Sequence, residues 1–234
     1  MKINQLFEEL EKMTKGKDSV FAESGMVNWH DKMKFGFFPL GFGMLTDDIT
    51  LDSKAADIEI AEGGVMVLGN DFGTVGYVKD KCSDIGEKKT NKTIKNLLDE
   101  RVGLNRNNTF FTNFYLGVRT HPDATMIKRV EKLYDNYKEV CYNFFLKQLN
   151  LLNPKTIICL GHDVKNALIE SKQSNSFINW APKSTSIKRI HIDNKHIIES
   201  GEVAGRKFVL IPHPCDIRNF NDYHMKKLSG IINK

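Results

Sequence analysis

No stretch of the chain approaches the roughly 20 consecutive apolar residues that a helix needs to cross a bilayer. The N-terminus, Met1-Lys2-Ile3-Asn4-Gln5-Leu6-Phe7-Glu8-Glu9-Leu10, is acidic and amphipathic and lacks an unbroken apolar signal core. A cytoplasmic location is the resulting expectation. Cysteine is sparse and scattered: Cys82, Cys141, Cys159 and Cys215 stand far apart, with no Cys-x-x-Cys. That spacing lacks the pattern of a metal site, and a disulfide framework would be out of place in a chain of 234 residues. Reduced thiols and no structural metal are expected, with Cys159, inside an apolar run, as a core thiol. Internal repeats, low-complexity tracts and linker-like segments are also lacking, so one domain over residues 1–234 is the economical reading.

What is there suits a folded protein that buries a core: 41% hydrophobic and 27% charged residues. Lysine and arginine exceed aspartate and glutamate by five. This mild basic excess is compatible with a polyanionic partner but is shared by many proteins that touch no nucleic acid.

Leu6, Phe7 and Leu10 fall on one face of a predicted N-terminal helix. Phe35-Gly36-Phe37-Phe38-Pro39-Leu40-Gly41-Phe42-Gly43-Met44 has no regular period. It reads as a loop packed between surface and core, with stacking on a flat ligand as the second reading. Val65–Leu68 is a short continuous apolar run, as expected of a strand buried on both faces. A helix is predicted over 91–101 and a strand over Thr109–Thr112. A long amphipathic helix is predicted over about 124–150, with Ile127, Val130, Leu133, Tyr134, Tyr137, Cys141, Phe144 and Phe145 as its buried stripe. Pro154 stops it. Thr156–Leu160 is a third buried strand, followed by a helix from Val164 to about Ser171. The segment 172–206 is polar and less regular, although the alternation over 187–192 suggests an edge strand or hairpin. Phe208–Ile211 is the fourth buried strand, and a short helix is expected around Tyr223–Ile232. Strands alternating with helices predict an α/β fold with three layers, α/β/α, around a central four-stranded parallel sheet.

In open parallel sheets, ligands bind outside the carboxyl ends of the strands. Four different segments place polar groups there: Gly69-Asn70-Asp71-Phe72-Gly73-Thr74, Asn113-Phe114-Tyr115, Gly161-His162-Asp163 and His213-Pro214-Cys215-Asp216. Each alone has a bland reading. Asp71 could cap a helix, Asn113 could end a strand in a turn, and His213 could be an ordinary surface histidine. The His-Pro pair also occurs at His121-Pro122. The spacing of Gly69 and Gly73 fits neither a phosphate loop nor a dinucleotide fingerprint. Convergence of all four on one sheet edge is the informative feature.

In this order the motifs resemble those of the uracil-DNA glycosylase superfamily. Gly69-Asn70-Asp71-Phe72-Gly73 is similar to its Gly-Gln-Asp-Pro-Tyr loop, and Thr112-Asn113 to its Thr-Asn strand end. Pro154-Lys155-Thr156-Ile157-Ile158-Cys159-Leu160-Gly161 is similar to a Pro-Lys-x-Ile-x-x-Leu-Gly strand, and His213-Pro214-Cys215 to its His-Pro-Ser motif. The similarity spans about residues 60–225. The first sixty residues carry none of these motifs and are expected to pack on the domain as an N-terminal extension. Three positions depart from the pattern: Asn70 stands for Gln or Glu, Phe72 for proline, and Cys215 for a phosphate-contacting serine.

The resemblance implies a monomeric hydrolase that excises uracil or a related deaminated base from DNA without cofactor or metal. It implies Asp71 and His213 as the catalytic pair. Asp71 would stabilise the cationic sugar and orient water, and His213 would stabilise the departing base anion. Asn113 would read the pyrimidine edge, because one amide both donates and accepts. Asn70, Phe72 and Tyr77 complete the implied base pocket, with Phe72 and Tyr77 as the two candidates for stacking. Cys215 and Arg218 would face the opened duplex. Two rival readings stand beside this one: a member of the same superfamily that binds nucleic acid or a base without cutting, motivated by the three departures, and a hydrolase or transferase acting on a free nucleoside or another small metabolite.

Overall fold

The computed structural model describes residues 62–71, 102–104, 108–116, 118–119, 137–171, 188–191, 197–213 and 222–233, together with Gln5, Glu8, Lys12, Met26 and Val27. Its elements are β1 (Met26–Val27), β2 (Val65–Gly69), β3 (Thr109–Asn113), β4 (Val118–Arg119), α1 (Tyr137–Leu152), β5 (Thr156–Leu160), α2 (His162–Glu170), β6 (Lys188–His191), β7 (Ile197–Val203), β8 (Arg206–Ile211) and α3 (Asp222–Ile232). None of these helices is long and apolar enough to cross a membrane.

The four expected strands form and are parallel, in the order β3-β2-β5-β8. The sheet is nevertheless larger than the four strands expected. β7 joins β8 antiparallel and β6 joins β7 antiparallel, giving a mixed sheet of six strands. The alternation read over 187–192 corresponds to β6, the outer strand of this hairpin. β7 carries no strand signal of its own, because Ile-Ile-Glu-Ser-Gly-Glu-Val has no long apolar run. Its polar Glu199 and Ser200 are buried all the same, and Glu199 is paired with a lysine. Ala204 and Gly205, both with positive φ, make the two-residue turn between β7 and β8.

Period-two alternation sorts the strand residues into two faces. Val67, Phe111, Ile158, Leu160, Ile198, Val209 and Ile211 pack with Met225, Leu228 and Ile232 of α3 and with Val102 and Leu104, which precede β3. The in-register row Phe110, Met66, Ile157 and Phe208 points to the other face and is fully buried there. Lys165 of α2 reaches Glu199 of β7, whose neighbour Ile198 belongs to the α3 face, so α2 covers the opposite one. Lys138 pairs with Glu170 at 3.0 Å and Ser171 Oγ donates to the Glu139 carboxylate, joining the start of α1 to the end of α2. Helices therefore lie on both faces.

Helix α1 takes up the second half of the range 124–150 expected to be one long helix; residues 124–136 lie outside the described residues. Its buried positions Tyr137, Cys141, Tyr142, Phe144, Phe145, Gln148, Leu149 and Leu152 recur with helical period. It ends where Asn153 takes φ 43°, which asparagine tolerates, and Pro154 follows. The helix expected over 91–101, the aromatic loop over 35–44 and most of the N-terminal region lie outside the described residues. Within that region, Met26–Val27 pairs antiparallel with Val118–Arg119, just beyond the carboxyl end of β3.

Candidate functional site

From β2 the chain moves to β3 on one side, and from β3 it crosses back over β2 to β5 on the other. The β2–β3 connection contributes Val102 and Leu104 to the α3 face, while α2, after β5, covers the opposite face. With these connections on opposite faces, the general rule for open α/β sheets puts a ligand crevice at the carboxyl ends of β2 and β5. Asn70 and Asp71, directly after β2, would form one lip of it; Gly161 and His162, directly after β5, would form the other.

The β2 lip is built jointly with β3. Strand pairing continues past the last ladder residues, with Phe114 N–H donating to Gly69 O and Tyr115 N–H to Asn70 O, both at 2.9 Å. Gly69 is in register with Asn113. A Cβ on Gly69 would lie 2.1 Å from Asn113 Oδ1, so the bare glycine lets the Asn113 amide lie across the backbone leading to Asp71. Asn70 Nδ2 donates to Asp71 Oδ2 at 3.1 Å. Asn70 Oδ1 is buried, and no described group donates to it. The structure thus brings Asn70, Asp71 and Asn113 together.

Behind this lip lies an aromatic wall. Phe114 and Tyr115 meet edge to face with centroids 4.9 Å apart, and Tyr115 stacks on Tyr137 at 6.0 Å with 12° between the planes. Tyr137 O–H donates to Leu116 O at 2.7 Å, and Leu116 N–H donates to Cys141 Sγ at 3.4 Å. Helix α1 therefore holds the 114–116 turn that in turn holds Asn70. Burial, then Cys141, Tyr115 and the Asp71 carboxylate, push the Tyr137 phenol well above its ordinary range. The Asp71 charge is felt by this wall. Sequence patterning placed Tyr137 in the core stripe and so missed it as support for the site; no local signal distinguishes it from Phe144 or Phe145.

The second lip joins β5 to β8. Gly161 N–H donates to Ile211 O at 2.9 Å, and Gly161 has φ 93° and ψ 161°, a conformation essentially confined to glycine. A Cβ there would meet His213 Cβ at 3.4 Å and Cδ2 at 3.8 Å, so His213 lies directly against this turn. His213 and His162 are exposed. β2, β5 and β8 are consecutive in the sheet. With strands about 4.8 Å apart, the chain segments carrying Asp71 and His213 emerge on the same edge roughly 10 Å from one another. Phe72, Tyr77, Cys215 and Arg218 lie outside the described residues.

Cys159, in β5 beneath the second lip, and Cys141, on α1 behind the first, are buried thiols outside any disulfide. Burial pushes the Cys159 thiol far up, only partly opposed by the nearby Lys165 ammonium, so it is inert core rather than a nucleophile. Among the described residues, no group of three His, Cys, Asp or Glu side chains is placed to hold a metal ion.

No known protein family matches the chain, and no curated protein is significantly similar to it in sequence.

Proposed function

We propose that the chain hydrolyses the N-glycosidic bond of uracil or a related deaminated base in DNA, as an enzyme like the uracil-DNA glycosylases in fold and site. The observation that carries this reading is the placement of Asn70-Asp71 and Asn113 at the adjoining carboxyl ends of β2 and β3, with His213 on the same sheet edge. A carboxylate, an amide and an imidazole in that order suit a reaction whose transition state is positive on the sugar and negative on the base.

In this mechanism the target nucleotide leaves the helix and its base enters the crevice, at a cost of a few kcal/mol. Asn113 pairs with the pyrimidine edge through its donor and acceptor. The bond from the sugar carbon to the base nitrogen breaks, and its electron pair goes to the base. Asp71 faces the resulting cation and orients the water whose oxygen bonds to the sugar carbon, His213 stabilises the base anion, and the proton the water loses balances the one the released base takes up from solvent. Asn70 donates to the Asp71 carboxylate, and no described group donates to its buried Oδ1. Phe72 and Tyr77 are the proposed stacking partners, and Cys215 and Arg218 the proposed contacts to the opened duplex.

The test is incubation with oligonucleotides containing uracil, hypoxanthine or a mismatch, followed by alkaline cleavage of abasic sites. Wild-type protein is expected to yield product from at least one lesion. Asp71→Ala is expected to slow it by about 10²- to 10³-fold or more, as for loss of one transition-state electrostatic group. Tight binding with no product would identify a non-cutting base binder. Failure to bind DNA even at low salt would instead point to a free nucleoside or metabolite as the substrate.

A further inference from the structure

Helix α3 begins at the edge of the sheet that carries the crevice. It follows the β8–His213 segment, and its far end is fixed at the opposite edge, where Lys207, near the start of β8, donates to Ile231 O at 2.6 Å. Its inner stripe, Met225, Leu228 and Ile232, is consumed by the core. The outer stripe is Tyr223, Lys226, Lys227 and Gly230, all exposed. Tyr223 is 58% exposed and is the one large hydrophobic side chain in the open among the described residues.

A single exposed aromatic is ordinary on a protein surface. This one differs in its setting. Its ring meets His224 edge to face at 5.4 Å, and Lys227 Nζ lies 5.4 Å from its centroid. The ring is therefore braced from two sides rather than loose. It stands at the site end of the helix, the two lysines stand one turn further along the same stripe, and Gly230 beyond them leaves open space. The acidic residue of this helix, Asp222, is confined to its first turn. An aromatic platform beside closely spaced cations is the combination that tracks a nucleic-acid strand, the ring accepting a base and the ammonium groups the phosphates.

We infer that the outer stripe of α3 is a docking surface for the DNA strand flanking the excised nucleotide, with Lys226 and Lys227 on successive phosphates and Tyr223 against an unstacked base or sugar. This rests on the glycosylase reading above and extends the contact surface beyond the crevice. The stripe lies outside the reacting groups, so its loss weakens DNA binding and leaves the chemical step intact.

The experiment measures anisotropy of a labelled uracil-containing duplex across a salt series, and single-turnover excision at saturating protein. The proteins are wild type, Lys226→Ala/Lys227→Ala and Tyr223→Ala. These changes are on the surface, and circular dichroism checks that all three proteins are equally folded. The double variant is expected to make the log–log salt dependence shallower by about 1.8, that is about 0.9 for each phosphate contact. Tyr223→Ala is expected to weaken binding by roughly 5- to 150-fold, the loss of one stacked base. Saturating excision rates should match wild type. Unchanged affinity and salt slope in both variants, with wild type binding and cutting, would overturn this surface and leave the glycosylase reading standing. If wild type neither binds nor cuts the duplex, both readings fall together.

Discussion

The buried ion pair between Lys165 of α2 and Glu199 of β7 offers a direct probe of how the second lip of the crevice is held. The two side chains are 3% and 4% exposed. α2 starts at the turn on which His213 rests, while β7 belongs to the antiparallel hairpin beyond β8, so the pair ties the hairpin to the helix behind the site. Lys165→Met leaves the Glu199 carboxylate buried without the ammonium, and Glu199→Leu does the reverse. Each single change is expected to cost about 3–5 kcal/mol, because one charge stays desolvated with its main compensation gone. That is a large share of the ~5–15 kcal/mol typical of a domain, so either variant should unfold at much lower urea. The double variant, Lys165→Met/Glu199→Leu, removes both desolvation penalties and should lie within about 1 kcal/mol of wild type or above it. Urea unfolding followed by far-ultraviolet circular dichroism gives all four stabilities, and their cycle should show a coupling above about 2 kcal/mol. Additive losses, or single variants costing less than about 1 kcal/mol, would refute the view that these charges are buried together.

Three further changes probe the site itself. Gly69→Ala places a Cβ 2.1 Å from Asn113 Oδ1, a side-chain tip that can swing away; stability should fall by less than ~1 kcal/mol while excision falls tenfold or more, read by urea unfolding beside single-turnover rates. Gly161→Ala enforces a side chain at φ 93° and 3.4 Å from His213 Cβ. The strained φ should cost about 1–3 kcal/mol in unfolding experiments, and relaxing the turn shifts the His213 packed against it and so impairs excision as well. The raised Tyr137 phenol favours the neutral form in the fold, so its contribution is complete below its ordinary value of 10.0 and is lost as pH rises from there toward the folded value. Tyr142, pushed up to about 12 mainly by burial, acts in the same direction. Unfolding free energy should therefore fall above pH ~10 by up to ~1.4 kcal/mol per unit per group. Tyr137→Phe should make that decline shallower while lowering stability at neutral pH through loss of the hydrogen bond to Leu116 O; an unchanged alkaline slope would contradict the assignment.

Much of the layered core was legible because its strands are buried on both faces. Val65–Leu68, Thr109–Thr112, Thr156–Leu160 and Phe208–Ile211 are short apolar runs that local pattern alone identifies, and α2 and α3 follow from helical spacing. The polar residues at the strand ends were legible for the same reason: where a buried run stops, the chain must turn, and Asn70, Asp71, Asn113 and His213 stand at those turns. β7 was not legible. Its Glu199 sits in the interior paired with Lys165, 34 residues away in sequence, and no short window of sequence contains both.

Local periodicity thus determined which segments would be strands and helices, since hydrophobic alternation reflects burial that each element needs wherever it docks. Strand order, the two antiparallel additions and the position of the crevice were decided only in three dimensions, because they depend on which face each connection takes. The same holds for the support of the site. Tyr137 under the 114–116 turn and His213 against Gly161 are contacts between segments distant in the chain, set by side-chain packing rather than by the pattern of any one segment.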